Sequence, residues 1–177
     1  IQELGWWGVT AESDPYQIGI SSFQGLDMLN KDTAWIVGQS GTLLSTKDGG
    51  RSWTNIPTPL SNTSYGLQAV EFIDSRIGWI VGASIYIYRT SDGGTTWSSQ
   101  TTGTQYSFMD IKFANERLGI AVGGGKKIYR TTNGGLVWTR VHYDPPIVLR
   151  KLNILDSLNM WIVGDGGTIL RTNDGGA

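Results

Sequence analysis

Three arginines share one position of a repeating pattern, and the chemistry of that side chain is anion binding. Arg89, Arg130 and Arg171 lie 41 residues apart, and each directly precedes a threonine. Guanidinium groups hold carboxylates through paired hydrogen bonds. An arc of three on one face could therefore bind a carboxylate or an acidic peptide. The alternative is that each arginine only pairs with a turn carboxylate, such as Asp92 or Asp174, at a strand end.

The other reactive side chains are too few or too scattered for most catalytic or metal chemistry. The 177 residues include no cysteine, and His142 is the one histidine, so thiol chemistry and cysteine-ligated zinc are excluded. A Ser-His-Asp triad would need His142 itself, which lies in a loop-like run. No pair of Asp or Glu residues stands apart as an acid and a base. We therefore expect no enzyme and no cofactor.

Two glycine-rich patterns resemble ligand-binding loops but are better explained as turns. Each Asp-Gly-Gly turn offers one carboxylate, whereas calcium sites cluster several, so we expect no metal. The run 123–127, Gly-Gly-Gly-Lys-Lys, lacks the Ser or Thr and the helix that follow a phosphate-binding loop. It predicts a hairpin turn.

Net charge and hydropathy restrict the binding partners and the cellular location that we expect. A formal net charge of -1 gives no basic excess for nucleic acid, and apolar runs such as 35–37 are far too short to cross a bilayer. The chain opens at Ile1 without a methionine, so we expect that an upstream segment, such as a signal peptide, has been removed or was never included. We expect an extracytoplasmic protein, whether periplasmic, lumenal or secreted.

A repeat of about 41 to 44 residues positions these side chains. A Trp-Ile-Val-Gly run, with Ile-Ala-Val-Gly in the third copy, ends at Gly38, Gly82, Gly123 and Gly164. A second landmark, Asp or Asn followed by two glycines, begins at 48, 92, 133 and 174 with the same intervals of 44, 41 and 41. Two landmarks with equal intervals indicate a structural repeat.

Each repeat contains four short runs with strand-like alternation, separated by Gly, Asp, Asn and Ser. Four antiparallel strands per unit of this length are typical of a propeller blade. The sequence thus predicts an all-β fold: a β-propeller, or a segment of one, with four-stranded antiparallel blades and about four repeats. We place the repeats at approximately 23–56, 67–100, 108–141 and 149–177, in a single domain spanning 1–177.

The turn between the third and fourth strands carries the motif Thr-x-[Asp/Asn]-Gly-Gly-x-x-Trp. The Asp or Asn and Thr side chains can bond nearby backbone N–H groups, the glycines can adopt positive φ, and the tryptophan can pack between sheets. The residues concerned are Thr46, Asp48, Gly50 and Trp53, then Thr90, Asp92, Gly94 and Trp97, then Thr131, Asn133, Gly135 and Trp138, and finally Thr172, Asp174 and Gly176.

These residues resemble the Asp-box, or bacterial neuraminidase repeat, found in sialidases, sortilin-like receptors and photosystem II assembly factors. The Trp-Ile-Val-Gly run before the Asp-box is most similar to the assembly factors, over residues from about 23 to 177. The resemblance implies that the Asp-box is a folding element away from any catalytic site. It also implies that an arginine-rich patch holds a partner chain.

The two chain ends leave the blade count open. The fourth repeat stops at Ala177 before its tryptophan, while Trp6 matches Trp53, so residues 1–10 could supply a fourth strand to the last blade or to an upstream one. The chain could be cut from a longer propeller, could close on itself, or could pair with a second copy in a homo-oligomer.

The lead function is a non-catalytic scaffold that binds a protein or a peptide, at a surface or during assembly. The alternative is a glycan-directed propeller, either carbohydrate-binding or related to sialidases. Loop tyrosines could stack on sugars in that case: Tyr16, Tyr65, Tyr106 and Tyr143.

Overall fold

A computed structural model of the chain describes residues 22–141 and 147–177. Trp6, the rest of residues 1–10, Tyr16, His142 and Tyr143 lie outside these ranges. The described residues form fifteen strands, which are β1 Phe23–Met28, β2 Ala34–Gly38, β3 Leu43–Thr46, β4 Thr54–Asn55, β5 Leu67–Phe72, β6 Gly78–Gly82, β7 Tyr86–Thr90, β8 Ser98–Thr101, β9 Phe108–Phe113, β10 Gly119–Gly123, β11 Ile128–Thr131, β12 Thr139–Arg140, β13 Leu149–Ile154, β14 Met160–Gly164 and β15 Thr168–Thr172.

Every sheet is an antiparallel meander in which neighbouring strands follow one another along the chain. Blades 1, 2 and 3 have the orders β1-β2-β3-β4, β5-β6-β7-β8 and β9-β10-β11-β12. Blade 4 contains β13-β14-β15 within the described residues. The architecture confirms the predicted all-β propeller with about four blades.

Short turns join the second and third strands of three blades. They are three-residue 3-10 turns at Gln39–Gly41, Gly124–Lys126 and Asp165–Gly167. The second of these is the hairpin turn expected from the glycine-rich run. In the part of the chain described, no helix is long and apolar enough to span a membrane.

The blades pack face to face, and the alternation of side chains along each strand decides which face a residue joins. We call the side of a blade turned toward the next blade its forward face. Trp35 on the forward face of blade 1 stacks on Phe72 of blade 2, with ring centroids 3.9 Å apart. Trp79 of blade 2 stacks on Phe113 of blade 3 at 3.5 Å. The core is therefore a series of apolar layers between blades.

The forward face of blade 4 differs because no described blade follows it. Trp161, at the repeat position of Trp35 and Trp79, is 50% exposed, and Ile169 is 65% exposed. Trp35 and Trp79 are 3% and 0% exposed. The same repeat position is thus buried or open according to what lies in front of the blade.

The first strands of consecutive blades are neighbours, β1 with β5, β5 with β9, and β9 with β13. These inner strands line the propeller axis. Side chains on them can reach across from one blade to the next, which brings together residues about 42 positions apart in sequence.

Candidate functional site

Each Asp-Gly-Gly or Asn-Gly-Gly turn is closed by hydrogen bonds among its own residues. In blade 1, the Asp48 carboxylate accepts bonds from Thr46 Oγ1 at 2.8 Å, from the Ser52 N–H at 2.9 Å and from Ser52 Oγ at 2.6 Å. Thr46 Oγ1 in turn accepts the N–H of Gly50 at 2.9 Å. Asp92 repeats this set with Thr90 and Thr96.

The glycines supply the backbone shape that the turn requires. Gly49 and Gly50 have φ of 73° and 87°, and the corresponding pairs in the other three blades also have positive φ. This left-handed region is costly for residues with a Cβ. The motif is therefore specified by local stereochemistry.

The hydrogen bonds keep two turn carboxylates ionised. They lower the pKa of Asp48 and of Asp92 to about 2, with the hydroxyls of Ser52 and Thr96 making the largest contributions. Asn133 makes equivalent bonds in blade 3 without a charge, to Thr131 Oγ1 and to the Val137 N–H, each 2.9 Å. Among the described residues, no group of three or more His, Cys, Asp or Glu side chains could hold a metal ion.

The three arginines of the predicted arc project from the forward faces of three different blades. Arg89 lies over the ring of Trp79, with Cζ 5.7 Å from the centroid, and Arg171 lies over Trp161 at 5.5 Å. Arg130 donates from Nε to the carbonyl oxygen of Gly175 in the turn of blade 4, at 2.8 Å. These contacts place the guanidinium groups of Arg89 and Arg130 in the gaps between blades, and that of Arg171 on the open forward face of blade 4.

The three arginines differ in their exposure to solvent. Arg89 and Arg130 are half-buried between their blades, whereas Arg171 is exposed on the open forward face of blade 4. The geometry gives Arg89 and Arg130 a packing role. A partner could contact Arg171 without separating blades.

Carboxylates tie the inner strands of consecutive blades together. Each accepts a backbone N–H from the first strand of the next blade. The bonds run from Phe72 N to Asp27 Oδ2 at 2.7 Å, from Phe113 N to Glu71 Oε1 at 3.4 Å, and from Leu152 N to Asp110 Oδ2 at 2.9 Å. Each of these bonds joins the inner strand of one blade to the inner strand of the next.

Lys112 completes a charged cluster at the axis. Its ammonium group donates to Glu71 Oε2 and lies 3.9 Å from Asp27 Oδ1. Burial raises the pKa of Glu71 to about 7, against the opposing influence of Lys112. Burial also raises the pKa of Asp110. The carboxylates Glu71 and Asp27 raise the pKa of Lys112 despite its burial.

A cleft of about 260 Å³ opens at the axis beside this cluster, and all four blades contribute to its wall. Lys112 and Asp110 of blade 3 line it together with Lys151 of blade 4. Lys151 is 57% exposed and only approaches Asp110, at 4.0 Å. Of the two lysines among the described residues that line the cleft, Lys151 is the more exposed.

The described loop tyrosines occupy separate places. Tyr65 and Tyr106 are 53% and 55% exposed. The ring of Tyr106 lies against the backbone of Gly125, where a Cβ would approach it to 2.2 Å. Tyr106 is thus used in packing, and neither residue lines the axial cleft.

Sequence comparison identifies the family. A family model described as photosynthesis system II assembly factor YCF48 matches residues 59–177. The chain belongs to the YCF48 family. Among curated proteins, none matches the chain in sequence.

Solved structures agree with a YCF48-type propeller. The chain is similar to "YCF48 bound to D1 peptide", with 25% identity and a TM-score of 0.66 over 86% of this chain and 53% of that one. YCF48 from Cyanidioschyzon merolae matches at 21% identity and a TM-score of 0.66, over 84% and 52%. The chain therefore spans about half the length of these two YCF48 structures.

More distant matches show the fold alone. The computationally designed Ika4 protein matches at 15% identity with a TM-score of 0.70, over 88% of this chain and 92% of that one. Several GH74 enzymes match at 11 to 16% identity. Such low identities carry no information about activity.

Sequence reasoning missed the axial cluster of this YCF48-family chain. Asp27, Glu71 and Lys112 occupy one repeat position, directly before the last residue of each inner strand. A charged residue recurring at a fixed place in an apolar strand was the available signal. It becomes meaningful once the first strands are known to meet at the axis.

Proposed function

We propose that this chain is a non-catalytic propeller scaffold that binds an extended peptide segment of a partner protein, as YCF48 binds a D1 peptide. The observation that carries the proposal is membership of the YCF48 family over residues 59–177, together with the YCF48 structure that contains that peptide. The natural partner class is a segment of D1 or of a similar photosystem protein. An extracytoplasmic location, in the lumen or the periplasm, belongs to the same proposal.

The axial cleft is the part of the described surface best suited to such a ligand. It is reached by all four blades, so a bound segment would contact several repeats at once. Its volume of about 260 Å³ fits one side chain or a chain terminus rather than a whole peptide. Lys151 would meet a carboxylate there.

Arg171 is a second contact in this proposal, because it is exposed and lies over a half-exposed tryptophan. Arg and Trp are the residue types most enriched in binding hot spots. Arg89 and Arg130 would act indirectly, by holding the blades at their spacing.

The absence of catalysis is proposed from how the buried carboxylates are used. Glu71 is bonded to Lys112 and to the N–H of Phe113, and Asp110 to the N–H groups of Ile111 and Leu152. Groups held in this way serve the joints between strands. An acid–base pair would instead need carboxyl oxygens free to exchange protons with a substrate, whereas both oxygens of Asp110, which lines the axial cleft, accept backbone N–H groups.

Binding of synthetic peptides tiled across the D1 protein, measured by fluorescence polarisation, tests the proposal. We expect at least one peptide to bind, and Lys151→Glu to weaken that binding about tenfold because a carboxylate contact is replaced by repulsion. Lys31→Glu is the matched control, since Lys31 is 87% exposed and does not line the cleft.

Two outcomes would count against this function. If no D1 peptide binds, the partner class is wrong. If Lys151→Glu and Lys31→Glu weaken binding equally, the effect is one of net charge and the axial cleft is not the site. Arg171→Glu then tests the second contact in the same assay.

A further inference from the structure

Ser45 interrupts the arginine series, and a cleft lies beside it. Ser45 pairs with Trp35 across β2 and β3, as Arg89 pairs with Trp79 and Arg171 with Trp161 in later blades. A serine side chain is too short to fill the space that a guanidinium group takes there. A cleft between blades 1 and 2 has a volume of about 650 Å³ and is lined by both Trp35 and Ser45.

The other blades show what a guanidinium group contacts at this position. Arg130 donates to the carbonyl oxygen of Gly175 in the next blade, at 2.8 Å. The counterpart of Gly175 in blade 2 is Gly93, which lines the cleft beside Ser45. Trp35 is the counterpart in blade 1 of Trp79 and Trp161. Arg89 and Arg171 lie over the rings of those two tryptophans. The groups that contact the arginine in the other blades are thus present around this cleft, but β3 has Ser45 in place of the arginine.

The charge around the cleft favours a cation. Asp48 and Asp92 both line it, and their hydrogen bonds lower the pKa of each to about 2, so both are ionised at neutral pH. Lys47 also lines it, so the described lining residues carry one excess negative charge. Each carboxylate accepts three bonds from its own turn and has room for about one more.

We propose that the cleft between blades 1 and 2 binds the side chain of an arginine presented by a partner polypeptide. The guanidinium group takes the place that Arg89 and Arg130 fill in their own blades, against Trp35, the carbonyl of Gly93 and the carboxylate of Asp92. The first 21 residues of this chain include no arginine, so they cannot supply a guanidinium group. The proposal is independent of peptide binding at the axis.

Titration with N-acetyl-arginine methylamide, followed by two-dimensional amide NMR, tests the site directly. We expect the amide signals of Ser45, Asp92 and Gly93 to shift at probe concentrations up to about 20 mM. The matching citrulline compound has the same shape without the charge and should bind about tenfold more weakly. The lysine compound should also bind more weakly, because it lacks the planar group.

Two variants locate the site. Ser45→Arg supplies the missing side chain, so it should reduce probe binding about tenfold or more and raise the melting temperature. Ser157→Arg is the matched control, because Ser157 is exposed in blade 4, and it should bind the probe as the unchanged chain does. Asp92→Asn, which copies Asn133 in blade 3, should weaken binding about threefold while the turn still folds.

The proposal is overturned if Ser45→Arg binds the probe like the unchanged chain, or if the citrulline or lysine compound binds equally well. The lack of any shift with the arginine compound would overturn it too. Should Ser45→Arg fail to fold, Asp92→Asn decides, and unchanged affinity in that variant counts against the site.

Discussion

At the scale of single residues, one hydrogen bond distinguishes two otherwise equivalent tryptophans. Trp138 Nε1 donates to Gln100 Oε1 of the preceding blade at 3.2 Å. Trp97 Nε1 is buried, and within the described residues it has no partner. Ile56 of blade 1 occupies the repeat position of Gln100 and packs near Gly94. The layer between blades 1 and 2 therefore lacks an acceptor that the next layer has.

Gln100→Leu should destabilise the chain by about 1 to 3 kcal/mol, because it leaves the buried indole N–H of Trp138 without its acceptor. Urea unfolding followed by tryptophan fluorescence measures the change. Ile56→Gln is the converse variant and should cost less than Gln100→Leu, since it offers Trp97 an acceptor. Equal losses for the two variants would show that the hydrogen bond contributes nothing.

At the scale of strands, the inner strands are joined by charge, and the joint depends on pH. Glu71 on β5 and Lys112 on β9 form an ion pair with Asp27 of β1 nearby. Burial raises the pKa of Glu71 from 4.5 to about 7. The folded state therefore binds more protons than the unfolded state between these values. Stability must then fall as the pH rises through that window.

Glu71→Gln should make the free energy of unfolding less dependent on pH between about 4.5 and 7. For the unchanged chain, we expect the free energy of unfolding at pH 8 to be lower than at pH 5 by on the order of 3 kcal/mol at most. Asp48 and Asp92 act in the opposite direction, but only below about pH 3.8.

Urea unfolding at pH 5 and pH 8, at constant ionic strength, checks this expectation. Asp165→Asn is the control, because Asp165 is an exposed partner of Arg150 and its pKa is lowered rather than raised. A pH dependence that survives Glu71→Gln unchanged would assign the effect to another group, with Asp110 the next to examine.

At the scale of the whole molecule, stability comes from the layers between blades. Residues at the same repeat position can therefore contribute very different amounts to the free energy of unfolding. Trp79 is fully buried against Phe113 of the next blade. Trp161 occupies the same repeat position and is 50% exposed. The difference arises from the neighbouring blade rather than from the strand.

Trp79→Ala should cost about 3 to 5 kcal/mol, whereas Trp161→Ala should cost about 1 kcal/mol. Denaturant unfolding of the two variants beside the unchanged chain gives the comparison. If Trp79→Ala does not fold, the milder variants Trp79→Phe and Trp161→Phe allow the same comparison of stability. A loss at Trp161 as large as that at Trp79 would mean that this face is covered in solution.

The sequence by itself determined the local features of this protein. The strands, the hairpin turns and the Asp-Gly-Gly turns follow from interactions within a few residues, such as the bonds of Asp48 to Thr46 and Ser52. Equal spacing of two landmarks then predicted blades, because identical units must bury equivalent faces against one another. The predicted arc of arginines rested on that spacing alone.

The function of each equivalent position depends on the residues that face it in the folded chain. Arg130 bonds a carbonyl in the next blade, Arg171 faces solvent, and Ser45 leaves a cleft, although all three share one repeat position. Glu71 and Lys112 are 41 residues apart and meet because inner strands converge at the axis. The physical reason is that burial and pairing depend on the facing blade, which strand periodicity does not describe.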